Sequence, residues 1–386
     1  MQNQNLSVFL SGAKIRHIKA FFFSCGFATP CNRDVNLYCY PCLCPAGKGL
    51  IFVKKYATAT CLAVLGIAAL GGLSSAGAAT LPPDDPHSIV TIQLENDALS
   101  IPSTDELYTS GERLGYVGPT GALPGFISDL GRGIFGEGTQ RLEFDLQQQI
   151  FTPTKTQLYN PNPQDRPYAG QLSLRLSLIQ DTMQTRSIAG VAVGVVGPAA
   201  LGQPVQNGFH EIIGQTPNRG WRYQLHNEPT LDFSGGRIWR EEVANFGPIG
   251  VQVLPQITGQ IGNTEIYAQT GAIVRFGQGL DSDFGPAVMQ PQLSGMDAYT
   301  PTRPFVWYVF GGVLGRLVAH DMLIQGNDFQ SSRGTGLTHL QGSLEFGAAV
   351  IYRGVRISAV ETIETPQFHH SAPAFQYGSV ALSVRF

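Results

Sequence analysis

The chain stops on Val380-Ala-Leu-Ser-Val-Arg-Phe386, an apolar and polar alternation that runs to the last residue and ends on an aromatic side chain. Period-two alternation is the mark of a strand with two unlike faces. The same pattern recurs upstream. Leu172, Leu174, Leu176 and Leu178 alternate with Ser173, Arg175 and Ser177, and Leu142, Phe144 and Leu146 alternate with Arg141, Glu143 and Asp145. A soluble sandwich would bury the apolar face, whereas a membrane barrel turns it to lipid and lines its lumen with the polar one. Charged and amide side chains in mid-strand, scarce helical periodicity and the aromatic carboxy-terminal strand favour the barrel. The fold class expected is therefore all-β, a transmembrane antiparallel β-barrel.

Composition divides the chain in two. All six cysteines (Cys25, Cys31, Cys39, Cys42, Cys44 and Cys61) precede residue 62. Lys54 and Lys55, an apolar run and the small residues around Ala78 have the layout of a secretory signal peptide over 51–78. Residues 1–50 are expected to be a leader outside the folded protein, and 79–386 the barrel. At roughly 25 residues per strand and connection, the barrel portion accommodates about twelve strands. Beyond residue 78, Lys155 and seventeen arginines face twenty-seven acidic residues, a net charge of −9. That charge argues against a nucleic-acid partner.

With the amino terminus periplasmic, strands are expected at about 89–95, 109–118, 140–151, 168–179 and 186–197. Three polar segments would then meet at the outer rim: Asn96 to Tyr108, Phe151 to Tyr168, and Val205 to Gly214. Gly190, Ala192 and Gly194 on the lumen side of the fifth strand would leave room beside them. The segment at about 279–304 falls periplasmic, is long for that side, and leaves the strand count there open. Trp221, Trp239 and Trp307 read as interface-belt aromatics.

Chemistry at such a rim would centre on His210. A lone loop histidine is most often solvated, but beside a carboxylate and an ester it can act as a general base on water. No G-x-S-x-G elbow occurs after residue 78, so a serine nucleophile lacks its usual turn. Asn96, Asp97 and Thr109 offer hard oxygen atoms suited to Ca²⁺; Asn96-Asp97 read alone is an Asx-type turn. Arg166, with Lys155 in the same loop, could hold a phosphate or lipid headgroup.

Leu94-Glu-Asn96-Asp97, Tyr108-Thr109-Ser-Gly111, Asp165-Arg166-Pro-Tyr168-Ala-Gly170 and Gln206-Asn207-x-x-His210-x-Ile-Ile-Gly214 together resemble the lipid A 3′-O-deacylase family. The resemblance runs from about residue 88 to Phe386. It implies a twelve-stranded outer-membrane barrel and a Ca²⁺-dependent hydrolase that releases 3′-linked acyl chains from lipid A in lipopolysaccharide. It implies His210 as base, Asn96, Asp97 and Thr109 as polar site residues, and Asp97, Thr109 and Glu211 around the metal. One departure stands out. The family places a Glu six residues after this His, where the chain has Thr216, so Glu211 or Glu228 would have to supply that carboxylate. The competing expectations are an inactive or pore-type barrel and a phospholipase acting on glycerophospholipid esters.

Overall fold

The computed structural model describes residues 80–101, 104–286, 288–289, 297–371 and 374–386. The expected leader and signal peptide lie outside the described residues. The remainder forms one antiparallel sheet of consecutive neighbours: β1 (Ile89–Asn96), β2 (Leu107–Val117), β3 (Thr139–Thr152), β4 (Ala169–Asp181), β5 (Thr185–Val196), β6 (Glu228–Trp239), β7 (Glu241–Phe246), β8 (Ile249–Gly262), β9 (Glu265–Gln278), β10 (Phe305–Asp321), β11 (Leu340–Tyr352), β12 (Val355–Glu364) and β13 (Phe375–Arg385). β6 and β7 are two parts of one stave. Both pair with β8, Ile238 opposite Gln256 and Glu241 opposite Val253, with Arg240 interrupting them. The sheet is therefore a closed barrel of twelve staves, the number expected.

Closure is made by the chain's first and last strands, from Ile89 opposite Arg385 to Asn96 opposite Gly378. Both edges of the sheet disappear at that seam, which a structure in lipid requires because no water is there to satisfy a free strand edge. Asp85 reinforces the seam just before β1. Its carboxylate accepts from Arg385 Nε at 2.9 Å and from Arg141 at 2.9 Å. Burial opposes its charge, yet these guanidiniums hold the carboxyl well below the usual range.

Alternation sorts the side chains as anticipated. Ile92, Leu94, Phe144, Leu146 and Leu174 are exposed on the outside, while Gln93, Glu95, Glu143, Asp145 and Ser173 are buried within. The polar interior is a dense set of ion pairs rather than an open channel. Arg113 joins Asp145 at 2.8 Å and Asp297 at 2.7 Å, and Arg356 reaches Asp297 from the other side at 3.2 Å.

Asp297 does not belong to a strand. The described parts of the β9 to β10 connection, 279–286, 288–289 and 297–304, leave the periplasmic end and turn back into the lumen. Arg275 and Tyr308 hold Asp283, and Arg240 donates to the Asp283 carbonyl at 2.6 Å. Further along, the Met289 amide donates to Glu95 near the opposite end of β1, at 2.8 Å. The length of this segment therefore reflects an inward plug, not a miscounted strand. The interruption at Arg240 has a related cause, since its guanidinium lies 3.8 Å over the Phe284 ring of the plug.

Among the described residues, three α-helices decorate the barrel. α1 (Gly125–Phe135) joins β2 to β3 at the periplasmic end, α2 (Gly202–Ile213) joins β5 to β6 at the outer end, and the short α3 (Met322–Gln325) follows β10. Removing one partner of a buried ion pair strands a charge, which costs about 3–5 kcal/mol, whereas an exposed pair is worth about 0–1 kcal/mol. Arg113→Ala is thus expected to lower the temperature of the heat-induced gel-mobility shift markedly, and Arg132→Ala, at the exposed pair with Asp129, to leave it within error. Equal shifts for the two variants would remove the plug's ion pairs from the account of stability.

Candidate active site

The outer-rim segments converge as the sequence suggested, but on the outside of the wall. Outward-facing Ile150 on β3 packs with Tyr168 and Trp221 in one buried cluster. Gln148, in the same outward row, donates to the Ala200 carbonyl at 2.6 Å. α2 then runs against β3 and β4. A Cβ on Gly170 would lie only 3.0 Å from the Gly202 nitrogen, so a glycine is required where helix backbone meets strand backbone. Gly190, Ala192 and Gly194 keep their lumen-facing parity, but they border the barrel interior rather than this cluster. Trp221 is likewise not an interface aromatic. It is fully buried, packs at a tilt against Tyr168 with ring centres 4.8 Å apart, and donates Nε1–H to Gln206 on α2 at 2.7 Å.

His210 emerges from α2 into a cavity of about 420 Å³ lined by Thr104, Asp105, Glu106, Thr154, Thr156 and Gln157, with Gln215 and Thr216 closing it. Its Nδ1 lies 3.2 Å from the Thr216 carbonyl oxygen. An Nδ1–H donated there leaves the Nε2 lone pair free, which is the tautomer a general base needs. Nε2 lies 3.7 Å from Asp105 Oδ2. That is longer than a direct hydrogen bond, a spacing at which a water can bridge two polar groups. Asp105 is itself fixed from α2 and the turn behind it, accepting from Gln206 and from Asn218 at 2.6 Å each. Asn207 and Asn218 lock the two together, since the Asn218 amide donates to Asn207 Oδ1 at 2.9 Å. The Gln-Asn-x-x-His spacing is thereby explained. Gln206 and His210 lie one helical turn apart and reach the same carboxylate, and Asn207 ties down the segment that supplies Asn218.

Asp97 opens a single 3-10 turn after β1, capped by Asn96, whose side-chain oxygen accepts the Ala98 amide at 2.8 Å. The Asx-turn reading of Asn96 therefore holds locally. Asp97 is buried, and its Oδ2 accepts the Glu106 amide at 2.7 Å, which ties the β1 turn to the loop that carries Asp105. Burial, with the neighbouring charges of Asp105 and Glu106, pushes the Asp97 carboxyl up to about 7. Glu106 is also raised, by burial and by Asp165 and Asp105. Negative charge at this rim is therefore under-compensated.

Other candidates lie elsewhere. Thr109, at the bulge where the β2 to β3 register shifts, shares its hydroxyl with Thr152 at 2.7 Å and does not line the cavity. Glu211 points to solvent from α2, because a residue adjacent to His210 in a helix faces about 100° away from it. Glu228 accepts from Asn327 and the Asp328 amide across the mouth. The carboxylate beside the imidazole is instead Asp105, which the sequence reading missed; its signal was the acidic doublet Asp105-Glu106 inside a segment already placed at the rim. Lys155 is exposed on the cavity-bearing loop. Arg166 turns into the barrel mouth. It lies 4.4 Å over the Phe151 ring, near Gln367, and burial draws its guanidinium down to about 10.

Among the described residues, one group of three carboxylates has oxygens within 4.8 Å of one another: Glu143, Asp145 and Asp297. It lies in the lumen and is bridged by Arg113. The set Asp97, Thr109 and Glu211 does not assemble, for the reasons given. Asp97, Asp105 and Glu106 are the acidic residues gathered on the His210 side of the rim, but their oxygens are not drawn together to that spacing.

The chain matches the family model described as "Outer membrane protein LpxR" over residues 61–386. Among solved structures it is similar to LpxR from Salmonella typhimurium, with 22% identity and a TM-score of 0.65, covering 78% of this chain and all of that one. The translocator domain of the autotransporter NalP from Neisseria meningitidis aligns at 12% identity over 87% of this chain and 98% of its own, with a TM-score of 0.36. No curated protein sequence matches. With a closed barrel of twelve staves and a family match over most of its length, the chain belongs to the LpxR family of outer-membrane proteins.

Proposed function

We propose that the protein is an outer-membrane lipid A deacylase in which His210 activates water against the 3′-linked acyl ester of lipopolysaccharide. The observation that carries this reading is the position of His210. Its Nε2 faces a cavity on the lipid side of the outer rim, next to a fixed carboxylate. A substrate with acyl chains in the outer leaflet and sugars above it would meet such a site laterally, without entering the barrel. Lumen filling by the plug disfavours the pore reading on the same grounds. The phospholipase reading shares the chemistry, and assaying both substrates side by side separates the two.

In the reaction, Thr216 O orients the imidazole and Nε2 accepts a proton from the attacking water. Asp105, held by Gln206 and Asn218, stabilises the imidazolium that results. The same nitrogen then returns the proton to the departing sugar oxygen. A Ca²⁺ ion held at this rim, with Asp97 and Glu106 as the carboxylates that would have to turn to it, would supply positive charge to the ester carbonyl oxygen.

General-base removal typically costs about 10²–10⁴ in rate. His210→Gln is expected to lose that factor in kcat, measured as acyl release from lipid A in detergent, while migrating as a folded barrel. Asp105→Asn should lower kcat more than it alters KM. A His210→Gln enzyme with full turnover would end the assignment.

The metal is expected to reveal itself through pH. Asp97 titrates near 7 in the folded protein, well above an ordinary carboxyl. Without cation, the stability gained from keeping it protonated is present at low pH and lost as pH rises through about 7. Ca²⁺ must displace that proton, so its apparent affinity should fall by up to about tenfold per pH unit below 7. Thermal unfolding with and without Ca²⁺ at pH 5.5 and 8 tests this: Asp97→Asn should clearly weaken the pH dependence, leaving what Glu106 contributes, and a Ca²⁺ effect independent of pH would exclude Asp97 as a ligand.

A further inference from the structure

α1 lies at the other end of the molecule from His210, and the proposed reaction gives it no role. It sits against the exterior of the barrel wall. Gly131 is its one buried residue, and a Cβ there would approach Leu178 Cδ2 at 2.8 Å and Gln140 Nε2 at 2.6 Å. Leu178 and Gln140 both belong to outward-facing rows, Leu178 continuing the line of Leu174. Gln140 donates to the Ser128 carbonyl, and Gln180 to the Gly136 carbonyl at 2.8 Å, so polar side chains of the wall dock the helix at both ends.

The rest of its surface divides sharply. At 100° per residue, Phe126, Leu130 and Ile134 fall within an arc of about 80°. They are 74%, 59% and 49% exposed. Gly131 lies to one side of that stripe. Asp129 and Arg132 lie on the far side and form an ion pair at 2.6 Å. A helix with one flank on the wall, one apolar sector and one charged sector has a single comfortable setting at a membrane boundary. The apolar sector meets acyl chains continuous with those around Leu174, and the charged sector meets water. Left in water, three large apolar side chains would keep about half or more of their surface unburied.

We propose that α1 is an interfacial helix that inserts Phe126, Leu130 and Ile134 into the periplasmic leaflet of the bilayer. Its occupant is phospholipid. Because Asp129 and Arg132 neutralise each other, apolar burial drives the insertion and no anionic headgroup is needed.

The experiment places tryptophan at the two sectors in turn, in full-length protein folded into phosphatidylcholine vesicles, with the parent's own tryptophan signal subtracted. Leu130→Trp and Phe126→Trp should emit to the blue of Asp129→Trp. They should be quenched several-fold more by phosphatidylcholine brominated on its upper chain carbons, and several-fold less by acrylamide. Heat-modifiable migration checks that each variant is folded. Leu130→Trp as open to acrylamide as Asp129→Trp, with no response to brominated chains, would overturn the proposal. So would protection seen in isolated outer membranes but not in pure lipid, which would indicate a protein cover, or quenching that appears only after phosphatidylglycerol is added.

Discussion

Backbone amides in a bilayer have no water to bond to, so every strand must find partners on both sides within the chain. The ladder of β1 on β13 meets that demand, and much else depends on it. Only a closed sheet gives each residue a fixed choice between lipid and lumen, and only then does an alternation of Leu with Arg or Glu become stable rather than contradictory. Closure in turn creates an interior that must be filled. Here it is filled by guanidiniums and carboxylates in mutual contact, with Arg113 and Arg356 shared between the wall and the plug residue Asp297. Replacing one such charge disturbs partners on several strands at once, because each ion serves more than one neighbour.

The same constraint explains which parts of the fold could be read from the sequence. β1 to β5 fall within two residues of the expected bounds because each must alternate to satisfy two unlike environments. Nothing imposes a period on a segment that fills a lumen. The plug between β9 and β10 carries isolated buried anchors, Asp283, Met289 and Asp297, the last two held by strands far away in sequence, so composition marks only its unusual length. α2 is similarly veiled. Within Gly202–Ile213, Gln206 and His210 face the site and Phe209, Ile212 and Ile213 remain exposed, a pattern inverted from that of a soluble helix.

The site was legible in its motifs and less so in its pairings. Asn96, Asp97 and His210 come to the outer rim, as the order of strands required. Which carboxylate meets His210 depends instead on loop paths. Asp105 reaches it because Asp97 captures the Glu106 amide and folds the β1 to β2 loop toward α2. Asp97 thus has a positional role that its residue type alone did not disclose, and the price is a buried carboxyl near two others. Arg166 shows the converse: a cation in a rim loop was expected to face lipid headgroups, but the aromatic ring of Phe151 inside the mouth gives it a closer partner.

The departure at Thr216 can now be weighed by what that residue contributes. Its side chain is not what positions the imidazole. The backbone carbonyl does this at 3.2 Å, and any residue in that backbone conformation would present the same oxygen. The carboxylate comes from a different loop, held by two amide side chains whose own positions are set by α2. A missing Glu at 216 therefore does not leave His210 without an anionic neighbour. In this chain that charge comes from across the cavity, from Asp105 in the loop after β1. Both the imidazole and the carboxylate are then tied to α2, so displacing the helix from the wall would dismantle the pair together.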